Sequence, residues 1–464
     1  MVGSRTLARM EARLDIPRRA RAHDVHRVRW WLHHRVWLMP LLSAVLGALL
    51  GVLLVLQPGF IASALRGVAW KASVVEARTM LSTVLGIAIS SLSIVLSLSM
   101  LVVQNAAGQY SPRLLRLFLQ GAGIRVVIPV FVATSVFCLV AAQVFGLVPG
   151  DGRLPRPALS MAMLLLVLCE AALVFQMLDT LQLMRLENLV RQVGRDTLSV
   201  ARVMDRRRKE DVAPPAIPPS SSASLPLRAR AEGFVVDVDG AALLRGAEAH
   251  GLVVHVDVTI GEPVVWGAVV GRVESGNPGL PVSREQAEPL VHAILLDRWR
   301  EQDSDVALGV RQLVDVAIKA LSPGINDPYT AVESLDQLTF LLCELCRMRL
   351  GTRVLADAEG RPRVFLRAPA LRDYLELATD QIGRYGAGEP AVVLRLLRLA
   401  GAVGQRARSA EDRQAARETL HHVLAVAEQA LADSPQLERL RRHARDLEQA
   451  LEGGPLPPLP AIGF

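Results

Sequence analysis

The sequence predicts a membrane α-helical protein with four transmembrane helices and a cytoplasmic α+β domain, which combines a small barrel-sandwich-like β module with a helical region. Hydrophobic residues fill 51% of the 464 positions and charged residues only 21%, which is too apolar for an ordinary soluble enzyme. The long apolar runs all fall before residue 185, and the chain after about residue 200 has the mixed composition of a soluble domain. The first half is therefore expected to lie in the membrane.

A basic arm, residues 1–36, precedes the first apolar run. It carries nine arginines and is longer than the basic leader of a signal peptide, and no small-residue cleavage site follows the apolar run. We therefore expect the first apolar segment to stay in the mature protein. Trp30, Trp31 and Trp37 stand where aromatic side chains anchor a membrane interface.

Four apolar segments reach the roughly 20 residues needed to cross the hydrocarbon core of a bilayer. They are residues 37–56, 79–104, 124–148 and 158–184, within a transmembrane domain over 37–204. Basic residues are dense in the arm and after the fourth segment, where a run holds Arg206, Arg207, Arg208 and Lys209, and are sparse between segments three and four. The positive-inside rule then predicts a multi-pass membrane protein, with both termini cytoplasmic and membrane lipids as partners of the basic flanks.

One face of the second apolar segment carries small and hydroxyl residues, and we call it the polar face. At about 100° per residue, its positions fall within about 40° of one line along the helix. They are Thr79, Thr83, Gly86, Ser90, Ser93, Ser97, Leu101 and Gln104. Such a face either lets helices approach closely and hydrogen-bond across the contact, or lines a path for water and ions. In a homo-oligomer, the same face can serve both for helix contacts and for a path. The opposite face, which includes Leu81, Val84 and Val95, suits lipid or apolar neighbours.

An ionisable residue, Glu170, lies in the middle of the fourth apolar segment. A carboxyl at that depth is costly unless it is paired, protonated or hydrated, so it is a functional candidate. Counted from the outer side, Glu170 lies at nearly the depth of Ser90 and Ser93. The sequence leaves two roles open, namely transport and a protonated carboxyl that donates a hydrogen bond to a serine hydroxyl.

A short amphipathic pattern begins at Ser111, Pro112 and Arg113, between the second and third segments. Ser111 has the chemistry of an N-cap, and Pro112 suits the first helical position. The pattern predicts an interfacial helix on the cytoplasmic side, from which Arg113 could reach lipid headgroups.

The segment 205–230 is rich in Pro and Ser and is predicted to be a linker. The β module, residues 231–282, has three alternating apolar runs, a short helix that closes at Gly251, and a Gly-Glu-Pro-Val turn. It resembles the barrel-sandwich modules of the biotinyl-lipoyl type. Those carriers need a lysine on an exposed hairpin, and residues 233–275 contain none. We therefore expect a structural or assembly module and no cofactor.

The region 283–452 is predicted to be helical and is followed by a Pro-rich tail, residues 453–464. One helix buries a face on which apolar residues repeat at helical spacing, and Arg311 can pair with Asp315 one turn further on. The predicted buried face consists of Val310, Leu313, Val314, Ala317 and Leu321.

The string Ser-Pro-Gly-Ile-Asn-Asp-Pro follows this helix. Its first three residues, Ser322, Pro323 and Gly324, are predicted to end the helix. Asp327 and Pro328 have the N-cap and N1 chemistry that starts the next one. Asn326 and Asp327 alone supply too few oxygens for a calcium loop. We predict that the string fixes the angle between two helices, at a subunit contact if the protein assembles.

No catalytic constellation stands out, so the sequence leans against an enzyme. It lacks a Gly-rich phosphate loop, a nucleophile elbow and a His pair at metal-ligand spacing, and we predict no metal. Cys343 and Cys346 form a lone C-x-x-C and are expected to be packed thiols, like Cys138 and Cys169 in the apolar segments. The net charge of +7 lies largely beside the apolar segments, so we expect no nucleic-acid partner.

Three stretches together resemble a family of bacterial predicted membrane proteins catalogued as domain of unknown function twenty-two fifty-four. They are SPRLLRLFL from Ser111, GFVVDVD from Gly233 and LVDVAIKALSPGINDPYTAV from Leu313. The resemblance covers roughly residues 35–440 and implies four spans and a cytoplasmic C-terminal domain, but no reaction. Relatives often carry histidines at the cytoplasmic end of the last span. This chain has none between residues 35 and 249, which argues against a proton relay of that kind.

Two functions are compatible with these patterns. The first is a homo-oligomeric channel or transport protein, in which the second segments surround a hydroxyl-lined path and the cytoplasmic domain assembles and gates it. The alternative is a membrane-anchored scaffold or regulator whose cytoplasmic domain binds a protein partner. The apolar segments would then serve as the membrane anchor and as the contact surface between subunits.

Overall fold

The computed structural model describes residues 38–56, 73–109, 122–147, 156–183, 186–209, 211–213, 224–276 and 281–459. The chain divides into two compact units. The membrane unit holds the apolar helices, and the α+β unit holds the chain from Arg185 onward. Several predicted features lie outside the described residues: the basic arm with Trp30, Trp31 and Trp37, the interfacial helix with Ser111, Pro112 and Arg113, and residues 214–223 of the linker.

The membrane unit contains four helices that are long and apolar enough to cross a bilayer. They are α1 (Leu38–Leu56), α2 (Val74–Gln109), α3 (Ala122–Leu147) and α4 (Arg156–Leu183). Each carries the run of about 20 apolar residues that a span requires. The prediction of a multi-pass membrane protein with four apolar helices is confirmed.

Helix α2 begins five residues before the predicted start of its apolar segment, at Val74 instead of Thr79. The reason is a reciprocal cap. The backbone N–H of Ser73 donates to Glu76 Oε2 at 2.6 Å, and the backbone N–H of Glu76 donates to Ser73 Oγ at 3.3 Å. This pair satisfies backbone donors that a helix start leaves free, so the helix extends beyond its apolar stretch.

Helices α1 and α3 approach each other closely at two glycines. A Cβ atom on Gly47 would lie 2.4 Å from the carbonyl oxygen of Ala133, and one on Gly51 would lie 3.1 Å from the carbonyl oxygen of Phe137. Glycine at these positions therefore lets the two backbones touch, which is the usual device for packing helices in lipid.

The α+β unit contains two open sheets. Five strands follow the order β1-β5-β3-β8-β7, and three follow the order β4-β2-β6. The strands are β1 (Leu225–Arg228), β2 (Gly233–Val238), β3 (Leu252–Val256), β4 (Pro263–Val264), β5 (Val269–Ser275), β6 (Ile294–Asp297), β7 (Arg353–Ala356) and β8 (Pro362–Leu366). Only the β3–β8 pair is parallel among the described strands. The described residues form no closed barrel, so the barrel-sandwich detail of the predicted fold is not confirmed.

Strands also occur outside the segment predicted to be the β module. Strand β1 falls inside the segment predicted to be a linker, and β6, β7 and β8 fall inside the region predicted to be helical. The reason is long-range pairing, because β1 pairs with β5 and β8 pairs with β3. A run of four or five apolar and polar residues does not by itself distinguish a strand from a helical turn.

The helices of the α+β unit pack around these sheets and around one another. They are α5 (Leu186–Arg207), α6 (Gly240–His250), α7 (Arg284–Ala287), α8 (Val306–Ala320), α9 (Pro328–Leu345), α10 (Leu371–Gly386), α11 (Pro390–Arg406), α12 (Ala410–Ala430) and α13 (Leu437–Leu451), with a 3-10 helix at Glu288–Ala293. On α8, the predicted inner residues Val310, Leu313, Val314 and Ala317 are fully buried. Leu321, which was also predicted to face inward, is half-buried and caps the end of α8. Arg311 Nε lies 3.6 Å from Asp315 Oδ1, so the ion pair expected from their spacing is present.

Candidate functional site

The polar face of α2 lies on the outside of the membrane unit. Its side chains are exposed in the single chain from Thr79 to Gln104, and a Cβ atom on Gly86 would meet nothing within 4 Å. The opposite side of α2 is buried against α3 and α4, through Leu81, Val84 and Val95. The apolar face of α2 therefore has protein neighbours, and the polar face is left for lipid, water or another copy of the chain.

Hydroxyl groups of the polar face bond to their own helix. Thr79 Oγ1 donates to the carbonyl oxygen of Val75 at 3.0 Å, and Thr83 Oγ1 donates to that of Thr79 at 2.8 Å. Ser93 Oγ donates to the carbonyl oxygen of Ile89 at 3.0 Å. Such bonds satisfy the donor inside an apolar environment, while the oxygen keeps lone pairs for water or a partner helix.

A groove of about 370 Å³ runs along the junction of α2 and α4. Its walls include Thr79, Thr83 and Ile87 on α2, with Met163 and Leu166 on α4. The sequence alone does not indicate Met163 and Leu166 as groove residues, because apolar side chains are expected everywhere along an apolar helix.

Glu170 is exposed on α4 and continues the side of that helix that borders the groove. It follows Leu166 by four residues and Met163 by seven, and residues at these spacings lie on the same side of a helix. The carboxyl and the polar face therefore have one feature in common, which is that both are exposed on the outside of the membrane unit.

The string from Ser322 to Pro328 forms the tight connection between α8 and α9. Asp327 is the N-cap of α9, and Pro328 is its first residue. Both carboxylate oxygens of Asp327 are used, since Oδ1 accepts from the backbone N–H of Thr330 at 3.2 Å and Oδ2 from the hydroxyl of Thr330 at 2.6 Å. The Asp327 carboxylate therefore acts as the N-terminal cap of α9.

The chain reverses at Asn326, whose backbone lies in the left-handed region at φ 51°. The backbone N–H of Asn326 donates to the carbonyl oxygen of Ser322 at 2.9 Å, and that of Asp327 donates to Ala320 at 2.9 Å. These bonds satisfy carbonyl groups at the end of α8. Pro323 and Gly324 lie exposed between them. Asparagine tolerates the left-handed conformation better than other residues with a Cβ atom, apart from Asp.

Asp327→Ala is expected to lower the free energy of unfolding by about 1 kcal/mol, because it removes the cap of α9. Asn326→Gly is expected to be neutral or slightly stabilising, since glycine adopts a positive φ without strain. Chemical denaturation of the purified full-length protein measures both. Equal stability of Asp327→Ala, Asn326→Gly and the unaltered chain would show that the joint does not depend on the cap.

Cys343 and Cys346 lie at the end of α9. The Cys346 thiol donates to the carbonyl oxygen of Cys343 at 3.2 Å, and burial raises its pKa to about 11. Burial also raises the pKa of Cys343. Both groups are therefore protonated thiols at neutral pH, which makes them poor nucleophiles. Among the residues that the structure describes, no three His, Cys, Asp or Glu side chains are grouped as metal ligands.

Comparison with known proteins places these features in a family. The family described as "Predicted membrane protein (DUF2254)" matches residues 33–401. The chain belongs to this family. The matched stretch contains all four apolar helices, both sheets and the string from Ser322 to Pro328, so the resemblance seen in the sequence is confirmed.

Relatives of this DUF2254 protein occur in mycobacteria. Uncharacterized proteins of Mycobacterium bovis and Mycobacterium tuberculosis are each 29% identical to it over 443 residues. The alignments cover 93% of this chain and 84% of each relative. No solved structure matches the chain significantly.

Proposed function

We propose that this DUF2254 protein is a homo-oligomeric channel or transport protein of the bacterial inner membrane, with both termini in the cytoplasm. The polar faces of α2 helices from several copies surround a hydroxyl-lined path, and Glu170 sets charge preference or takes up protons. The α+β unit assembles and gates the path from the cytoplasmic side. The observation that carries the proposal is the exposure of the polar face and of Glu170 on the outside of the membrane unit.

The free-energy cost of placing these polar groups in the membrane depends on what covers them. A carboxyl that faces lipid near the bilayer centre costs roughly 3 kcal/mol on insertion scales. Water in a path, or a second copy of the chain, would remove that cost. The self-bonded hydroxyls of Thr79, Thr83 and Ser93 cost little in either setting, and their free lone pairs suit a water-lined surface.

Flux through reconstituted protein tests the proposal. Ser93→Leu is expected to reduce ion flux into liposomes roughly tenfold or more, which corresponds to ~1.4 kcal/mol of barrier, because it replaces a path-lining hydroxyl by a bulky apolar group. Glu170→Gln is expected to change the preference between cations and anions, or the dependence of flux on pH. Ile94→Leu is the matched control, since Ile94 is the next residue and is also exposed. Absence of flux from the unaltered protein under several salts and pH values would exclude a channel.

A second candidate function is a membrane-anchored scaffold or regulator, and one surface favours it. Val265 and Trp266, at the tip between β4 and β5, are exposed although both are large and apolar. Contiguous exposed apolar patches mark protein contacts, and these two side chains are neighbours in the chain. Cross-linking in cells should then recover one specific protein with the unaltered chain and lose it with Trp266→Ser. Recovery of no specific partner would remove this candidate.

A further inference from the structure

A cavity of about 70 Å³ lies in the α+β unit, beside the end of α5. Its walls come from α5, β2, β3, β7, β8, α10 and the first turn of α8. Three of its polar residues are almost completely buried: Arg208 and Tyr374, each 6% exposed, and Asp305, 3% exposed. A buried space lined by several polar groups holds water or a ligand, since empty cavities in proteins are apolar.

Arg208 is the first unusual group in this cavity. Its neighbours in the run, Arg206 and Lys209, are exposed, whereas Arg208 is buried. Its Nη1 donates to the carbonyl oxygen of Gly351 at 2.9 Å, and no carboxylate of the described residues lies within 4 Å of it. Burial lowers the pKa of this guanidinium. The charges of Asp211 and Asp205 act on Arg208 without an ion-pair contact, so an anion in the cavity would further offset the cost of burying this cation.

Tyr374 is the second unusual group. Tyr374 lines the cavity and is 6% exposed, and a tyrosine hydroxyl buried to this degree usually needs a hydrogen-bond partner. Burial, and after it the charge of Asp305, raise the pKa of Tyr374, so the hydroxyl is a donor at neutral pH. It lines the cavity together with Arg208, and the two can donate to the same ligand.

The carboxylates of the cavity wall are already paired with arginines. Asp305 Oδ2 lies 2.7 Å from Nη2 of Arg300, and its Oδ1 caps α8 by accepting from the backbone N–H of Leu308 at 2.9 Å. Arg353 is held by Asp211, with Nε 3.0 Å from Oδ2. Arg208 has no carboxylate in ion-pair contact and feels Asp211 and Asp205 only through their charge, and Arg367 adds a further cation to the wall. Residues Val306 and Ala307, at the positive end of α8, line the same space.

We propose that this cavity binds a small oxyanion of the phosphate class, held by the Arg208 guanidinium and the Tyr374 hydroxyl. Its volume suits a single phosphate group, either free or at the end of a small phosphomonoester, and is far below the roughly 300–1,000 Å³ of a pocket for a drug-sized ligand. The bound anion would connect the end of α5 to α10. Because α5 follows the fourth apolar helix after only two residues, such a ligand is placed to regulate the helix that leads out of the membrane unit.

Calorimetric titration of the full-length protein in detergent tests this site without reference to flux, so its outcome is independent of the proposed channel. Inorganic phosphate and glycerol phosphate are the two probes, and potassium chloride at matched ionic strength is the control. Saturable binding of phosphate supports the site, and stronger binding of glycerol phosphate identifies a phosphomonoester as the ligand.

Tyr374→Phe is the decisive variant, since it keeps the packed ring and removes only the hydroxyl. We expect it to weaken phosphate binding roughly tenfold or more, the range of a hydrogen bond to a charged group. Tyr385→Phe, at an exposed tyrosine, is its matched control and should bind as the unaltered chain does. Arg208→Gln is expected to abolish binding, with Arg206→Gln as its control. No saturable phosphate binding, or equal binding by Tyr374→Phe and the unaltered chain, would overturn the proposal.

Discussion

Gly309→Ala is expected to lower the free energy of unfolding of the α+β unit by about 1–3 kcal/mol, the usual range for an overpacked core. A Cβ atom at this position on α8 would lie 1.9 Å from Oγ1 and 2.7 Å from Cγ2 of Thr197 on α5. Thr197 is only 2% exposed, and its hydroxyl donates to the carbonyl oxygen of Val193 at 2.6 Å. The threonine therefore has little room to move, and α5 and α8 must separate.

A double-mutant cycle makes this prediction specific. Thr197→Ala removes the two nearest atoms, so it should recover part of the stability that Gly309→Ala loses. Gly388→Ala is the matched control, because a Cβ atom there meets nothing within 4 Å. Denaturation of the full-length protein, followed by tryptophan fluorescence, provides the measurement. Additive losses from Gly309→Ala and Thr197→Ala would show that the two residues do not meet.

Gly47→Ala is expected to destabilise the membrane unit by a similar amount, roughly 1–3 kcal/mol. The new Cβ atom would lie 2.4 Å from the carbonyl oxygen of Ala133, and a backbone atom of α3 cannot turn aside as a side chain can. The α1–α3 contact would have to open along its length. Thermal unfolding in detergent, with loss of the native gel-filtration peak, measures the effect.

Gly86→Ala is the matched control in the same unit. The added methyl would meet nothing within 4 Å in the single chain, so the membrane unit should keep its stability. If copies of the chain meet along the polar face, however, this methyl should weaken the oligomer. Loss of the oligomer with Gly86→Ala but unchanged unfolding would support assembly along this face. Equal destabilisation by Gly47→Ala and Gly86→Ala would contradict the packing described for α1 and α3.

The parts of the structure that were predictable from sequence depend on local rules. Each apolar helix must carry about 20 apolar residues whatever its neighbours are, so the four spans could be recognised one at a time. The cap at Asp327 and Pro328 is local as well, because its donor and acceptor lie three residues apart. The buried face of α8 follows from its helical periodicity.

The parts that were not predictable depend on contacts between distant residues. Strand β8 pairs with β3, which lies about 110 residues earlier, and nothing within its five residues indicates that partner. Arg208 belongs to a run of basic residues, and in sequence such a run is accounted for by the positive-inside rule. Only the folded positions of β7 and α10 reveal that Arg208 is buried. The exposure of the polar face of α2 was likewise not predictable, because it depends on α3 and α4 packing against the opposite side of the helix.

In the proposed channel, the polar face of α2 lines a water-filled path in an assembled protein. Cysteine accessibility in membrane vesicles tests it most directly, in a background where Cys138, Cys169, Cys343 and Cys346 are replaced by alanine. Single cysteines at Thr83, Ser90, Ser93 and Ser97 should react with a charged, membrane-impermeant thiol reagent, whereas a cysteine at Ile94 should not. If the four polar-face positions are as unreactive as position 94, the face packs against helices or lipid, and the channel proposal is wrong.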